Sequence, residues 1–136
     1  MAIEMLNKTL DCERERQKIL DGSYPGRVIQ GRQNKHIDGT REFEQKCKSM
    51  EIESPGSKPA ILTVNAQMLV DKYKGTGNIL PGRGSPYPPV ETINADFIIG
   101  RTWVKTLFKY VDTKRFKIMY SSKGVHVVPV SDFKKG

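Results

Sequence analysis

Two histidines, His36 and His126, are the side chains of this 136-residue chain best suited to proton transfer near neutral pH. His36 lies in GRQNKHIDGT (31–40), flanked by Arg32, Lys35, Thr40 and Arg41, and His126 follows Ser121, Ser122 and Lys123. Neighbouring cations disfavour the protonated imidazole, which keeps the ring available as a base. A single histidine in a polar loop is most often functionally silent; two of them in similar basic, hydroxyl-rich settings are a stronger signal. Metal-independent RNA cleavage needs a base for the 2′-hydroxyl, an acid for the departing 5′-oxygen, and cations or donors for the charged phosphorane. His36 and His126 would move the protons, and Arg32, Lys35 and Lys123 would hold charge. Ser121, Ser122, Thr40 and Tyr120 would donate to phosphate. Residue types leave open which histidine is the acid.

Other chemistries fit less well. GNILPGRG (77–84) has Arg83 and Gly84 where a phosphate-binding P-loop needs lysine and a hydroxyl, and a helical segment precedes it instead of a strand. Cys12, His36, Cys47 and His126 lack the paired spacing of a zinc site. There is no GxSxG elbow for a serine hydrolase, and no helix concentrates Arg and Lys for a DNA groove.

The elements that must position these residues are bounded by composition. At 37% hydrophobic and 28% charged, 136 residues make one compact domain, and no apolar run reaches membrane-spanning length. The charged N-terminus does not read as a secretory signal, and two cysteines without a framework fit a reducing compartment. Lys and Arg total 23 against 15 Asp and Glu, for a net charge of +8. Residues 1–21 carry a net −1, 22–59 +2 and 60–136 +7. A positive field concentrated in the C-terminal half favours a polyanionic partner such as nucleic acid.

Ile3, Leu6, Leu10, Ile19 and Leu20 have helical spacing over 3–20, and Tyr24-Pro25-Gly26 ends that helix. A short helix is expected from Arg41 to Met50, a linker at 53–59, a short strand at 60–64, and a helix over NAQMLVDKY with Asn65 as N-cap. Residues 75–89 read as a long irregular loop. Period-two alternation over 92–99 predicts one strand, WVKTLFKYV (103–111) another, DTKR (112–115) a turn, and FKIMYSSKGVHVVPV a closing hairpin. Helices first and an antiparallel sheet last make an α+β fold, with the helices on one face.

The hairpin constrains His126. A two-residue loop at Lys123-Gly124 sets Ser121 opposite His126, and a four-residue loop from Ser121 to Gly124 sets Met119 there. Both put Lys117, Met119, Ser121, His126 and Val128 on one face and Phe116, Ile118, Tyr120, Val125 and Val127 on the core face. A three-residue loop would reverse this, with His126 opposite Tyr120.

GRQNKHIDGT and YSSKGVHVVP resemble the two signatures of the type-50 polymorphic toxin domain, GKQxKHIxGT and YSKKGTHIVP. Gly31, Gln33, Lys35, His36, Ile37, Gly39 and Thr40 match the first, and Tyr120, Ser121, Lys123, Gly124, His126, Val128 and Pro129 the second. Arg32, Ser122 and Val125 depart from the usual lysine, lysine and threonine. Gly75 and Gly77 after the middle helix also fit. The resemblance covers roughly residues 30 to 130, so the chain divides into an N-terminal helical or entry segment, 1–27, and a toxin domain, 28–136. It implies the barnase/EndoU/colicin-ribonuclease/RelE-like superfamily, in which helices pack on a small antiparallel sheet whose open face holds RNA. It implies a metal-independent ribonuclease without cofactor, acting on transfer RNA or another cellular RNA. It further implies carriage by a larger secreted or phage-associated delivery protein, action in the target-cell cytoplasm, and neutralisation by a cognate immunity protein, which a basic cleft would want acidic. The implied catalytic set is Lys35, His36, Thr40, Ser121, Lys123 and His126. Arg32, Arg41, Arg83, Lys117, Tyr120 and Ser122 are the candidate RNA contacts, and Trp103, Tyr87 and Tyr110 are aromatics able to stack on bases. The alternative is a nucleic-acid-binding or phage-structural module of the same fold without catalysis, or a toxin acting on DNA or nucleotides.

Overall fold

The computed structural model describes residues 2–81 and 88–132, with side chains from residue 10 onward. The fold is α+β, with helices preceding two small antiparallel sheets. Helix α1 (Ala2–Asp21) is followed by the four-residue α2 (Gln30–Gln33), a 3-10 turn over Asn34–His36, and α3 (Arg41–Glu53). Strand β1 (Ile61–Leu62) leads into α4 (Ala66–Tyr73), where the Asn65 side chain accepts from the Met68 amide and caps the helix. The remaining strands are β2 (Asn78–Leu80), β3 (Val90–Asn94), β4 (Gly100–Val104), β5 (Lys109–Thr113), β6 (Arg115–Ser121) and β7 (Gly124–Val130). The larger sheet runs β2-β3-β6-β7 and the smaller β1-β4-β5. No helix among the described residues is long and apolar enough to cross a membrane.

One face of the larger sheet is covered and the other is open. Ile79, Ile93, Phe116, Ile118, Tyr120, Val125 and Val127 point into a core completed by Leu69 and Val70 of α4 and Ile19 of α1. Burying apolar side chains of this size stabilises by roughly 1.5–3 kcal/mol each. The alternate residues face outward: Asn78 and Leu80 on β2, Val90, Thr92 and Asn94 on β3, and Lys117, Met119, Ser121, His126 and Val128 on β6 and β7.

Both edges of this sheet are occupied by groups other than strands. On β7, Val125 exchanges backbone bonds with Arg27 and Ile29, Val127 exchanges two with the Gln33 carboxamide, and the next residue in that phase is Pro129. On the β2 side, Cys12 Sγ donates to the Ile79 carbonyl, and Arg16 donates to the carbonyls of Gly75 and Gly77. The amides of these two glycines donate in turn to Glu91, a fully buried side chain on β3 whose carboxyl also accepts the Tyr120 hydroxyl.

Three expectations are corrected. The alternation over 92–99 is not one strand: pairing stops at Asn94, the chain bends at Asp96–Phe97, and Ala95 and Ile99 stay buried while the backbone crosses to the second sheet. WVKTLFKYV is not one strand either, because Lys105 to Phe108 form a turn between β4 and β5, with Phe108 at a positive φ of 50°. Finally, the 75–89 stretch contains β2, which pairs with Val90–Thr92 and buries Ile79; residues 82–87 of that stretch lie outside the described residues.

Candidate active site

The hairpin register puts Met119 opposite His126 and Ser121 opposite Gly124, leaving Ser122-Lys123 as the turn. His126 therefore projects from the open face together with Lys117 and Ser121, while Phe116, Ile118 and Tyr120 go to the core. Gly124 has φ +147°, and a Cβ there would lie 2.4 Å from the Arg27 carbonyl oxygen. The missing side chain lets residues 27–29 run alongside the start of β7.

That docking carries the first motif to the second. Beyond Ile29, α2 places Gln33 against β7, where its Nε2 donates to the Val127 carbonyl (2.9 Å) and its Oε1 accepts from the Val127 amide (2.6 Å). The 3-10 turn that follows buries His36 to 7% exposure. Thr40 closes the loop: its hydroxyl accepts from the Phe43 amide as the N-cap of α3 and lies 2.6 Å from the Asn34 carbonyl and 2.8 Å from that of Ile37.

The two imidazoles are held differently. His36 Nδ1 is 3.0 Å from the Ala60 carbonyl oxygen. A carbonyl only accepts, so Nδ1 carries the proton and the neutral ring has its lone pair on Nε2. Burial holds this ring below the ordinary imidazole value against the opposing bond to Ala60, and Lys46 and Lys35 add to the lowering. His126 Nδ1 is buried with no hydrogen-bond partner among the described residues. Burial, followed by the charges of His36, Arg32, Lys35 and Lys46, pushes His126 down to about 4. Both rings are thus neutral at pH 7, in one basic environment, and the charge of one is felt by the other.

This arrangement makes stability depend on pH. Unfolding returns His126 to about 6.5, so the unfolded chain binds its proton first as pH falls. The stability tied to the neutral ring is full above 6.5 and is lost between 6.5 and 4, by up to about 3 kcal/mol. Urea unfolding at pH 7 and pH 4.5 is expected to show a smaller drop for His126→Gln than for the wild type. An equal drop in both would assign the acid sensitivity to other groups.

The remaining candidates separate. Arg32 reaches from α2 to β6, its Nη1 3.3 Å from Ser121 Oγ. The Ser121 hydroxyl donates to the Gly124 carbonyl (2.8 Å) and accepts from the Lys123 amide (3.2 Å), which fastens the turn. Lys35, Lys123, Ser122, Lys117 and Arg41 are exposed, with Lys117 on the open face and Arg41 at the first position of α3. Tyr120 points into the core at 3% exposure and is bonded to Glu91, so its hydroxyl does not reach the open face. Thr40 likewise has its hydroxyl engaged with backbone. Arg83 and Tyr87 lie outside the described residues. Trp103 Nε1 donates to the Gly56 carbonyl and the Tyr110 hydroxyl to that of Pro59, which ties both rings to the 56–60 segment.

Two contributors escape a reading by residue type. Gln33 is an ordinary polar residue in a polar stretch, and only its long-range pairing to Val127 reveals that it aligns the motifs. Lys46 had a local signal: it falls three residues after the buried Phe43, on the inward side of α3, where a cation is unusual. In comparison with known proteins, the family model described as bacterial toxin 50 matches residues 28–129, about three quarters of the chain. No curated protein matches it.

Proposed function

We propose, given that this chain belongs to the bacterial toxin 50 family, that it is a ribonuclease toxin domain cleaving cellular RNA by transesterification between His36 and His126. The observation that carries the reading is the pair of neutral imidazoles, with His126 on the open sheet face feeling the charges of His36, Arg32, Lys35 and Lys46.

The chemistry follows from the two environments. His36, with Nδ1 committed to Ala60, takes the 2′-hydroxyl proton at Nε2. The 2′-oxygen attacks the adjacent phosphorus, the bond to the 5′-oxygen breaks, and a 2′,3′-cyclic phosphate forms. His126 protonates the departing 5′-oxygen. Burial depresses this ring most and neighbouring cations add to it; a bound phosphate offsets the cations' share, which raises its affinity for a proton. Arg32, Lys35 and Lys46 hold the charge of the phosphorane. Side chains account for every proton transfer, so the step is written without a metal ion or cofactor. Transfer RNA is one candidate among the cellular RNAs. A larger protein delivers the domain to the target-cell cytoplasm, and an acidic immunity protein covers the basic open face.

The test is incubation of the purified protein with total cellular RNA in EDTA, with gel analysis and mapping of the new ends. Discrete fragments carrying cyclic phosphate and 5′-hydroxyl ends are expected. Intact RNA beside nicked DNA, or cleavage only when magnesium is restored, would sink the proposal.

A further inference from the structure

A cavity of about 450 Å³ opens where β2 begins and β3 ends, lined by Tyr73, Thr76, Asn78, Thr92 and Asn94 among others. Its volume falls within the 300–1,000 Å³ typical of small-molecule sites. The lining combines one aromatic ring, two carboxamides and two threonine hydroxyls. The Tyr73 hydroxyl is buried and has no hydrogen-bond partner among the described residues. The same is true of Nε of Arg115, the cross-strand neighbour of Asn94. Buried polar atoms are rarely left unpaired, and those that are call for a ligand, ion or solvent to complete them.

We propose that this cavity is a base-recognition subsite, taking an unpaired nucleobase of the RNA on a nucleotide neighbouring the one cleaved; the inference rests on the ribonuclease reading above. Carboxamides offer a donor and an acceptor side by side, which matches the edge of a nucleobase, and Tyr73 adds a hydroxyl beside a ring. Position supports a neighbouring nucleotide. Thr92 pairs with Lys117, and Lys117 with Val128, two residues along β7 from His126. From β7 to β3 is two strand spacings, about 10 Å. RNA laid across the open face from the histidines would pass Lys117, whose ammonium suits the intervening phosphate, before its base reached Asn78 and Asn94. Lys72, 5.3 Å from the centroid of the Tyr73 ring, adds positive charge at the far end.

The experiment uses the full chain and a pool of single-stranded RNAs randomised around one cleavage site, cut by the wild type, Tyr73→Phe, Asn78→Ala and Asn94→Ala. The wild type is expected to prefer particular bases at one position flanking the cut. Each variant should flatten that preference and lower kcat/KM on the preferred RNA by about tenfold through KM, with little change on the others. Tyr73→Phe keeps the ring packed against Phe116, so loss of the fold does not account for its effect. Unchanged base preference in variants that still cut would overturn the subsite. A parallel titration with the four nucleoside monophosphates reads the Asn78 and Asn94 side-chain amide resonances by NMR. Shifts in those amides from a wild type that cuts no RNA would keep the subsite and remove the ribonuclease reading; neither cleavage nor shifts would overturn both.

Discussion

His36→Ala and His126→Ala are each expected to slow RNA cleavage by roughly 10²–10⁴-fold, the range for removal of a general acid or base, with RNA affinity nearly unchanged. In the proposed reaction the two rings serve successive proton transfers, so the double variant should lose little more than either single one. The pH profile is a further signature. Both imidazoles lie below 6.5 in the free protein, so kcat/KM should peak on the acid side of that value. The optimum of kcat should lie higher, because bound phosphate favours the protonated rings. Stopped-flow cleavage of a fluorescent RNA, with anisotropy for binding, reads all of these. Parallel loss of binding and cleavage would favour a domain that only binds nucleic acid.

The largest effect on stability is expected at Glu91. Its oxygens, on a side chain at 0% exposure, accept from the Gly75 amide (2.9 Å), the Gly77 amide (2.6 Å) and the Tyr120 hydroxyl (2.6 Å). Glu91→Ala leaves these donors facing a void. Each unsatisfied buried group costs about 1–3 kcal/mol, so a total loss of about 3–5 kcal/mol is expected once relaxation is allowed. Glu91→Gln should do little better, because one accepting oxygen becomes an amide NH2 that turns its hydrogens toward a donor. Combining Glu91→Ala with Tyr120→Phe removes one orphan and should cost less than the sum of the single changes. Urea midpoints of the four variants against the wild type report these differences; a Glu91→Ala loss below about 1 kcal/mol would contradict the network.

Much of the frame was legible. The helical spacing over 3–20, the Asn65 cap and the period-two pattern of the last hairpin each reflect a local rule, and the face carrying His126 followed from either even loop length. The breaks were less visible. KTLF contains no glycine, proline or asparagine to announce a turn, and Phe108 adopts a backbone conformation that bulky residues seldom occupy. The strand after residue 92 kept its alternation of buried side chains through a bend, so periodicity saw no boundary at Asn94. In the site, the histidines could be nominated by type. Their coupling depended on Gln33 meeting Val127, 94 residues away, which no local pattern encodes.

The occupied edges of the larger sheet limit how any other protein can engage it. Along β7 the outward hydrogen-bonding positions are taken by residues 27–29, by Gln33 and by a proline that has no N–H; along β2, carbonyls are claimed by Cys12 and Arg16. Among the described residues, a visiting peptide therefore finds no run of free backbone groups along β7 on which to zip up as an extra strand, and on the β2 side the carbonyls of Gly77 and Ile79 are already taken. Strand addition along β7 is closed off. An antagonist that engages this sheet through its broad face would, on the proposed reading, compete for the same ground as the RNA.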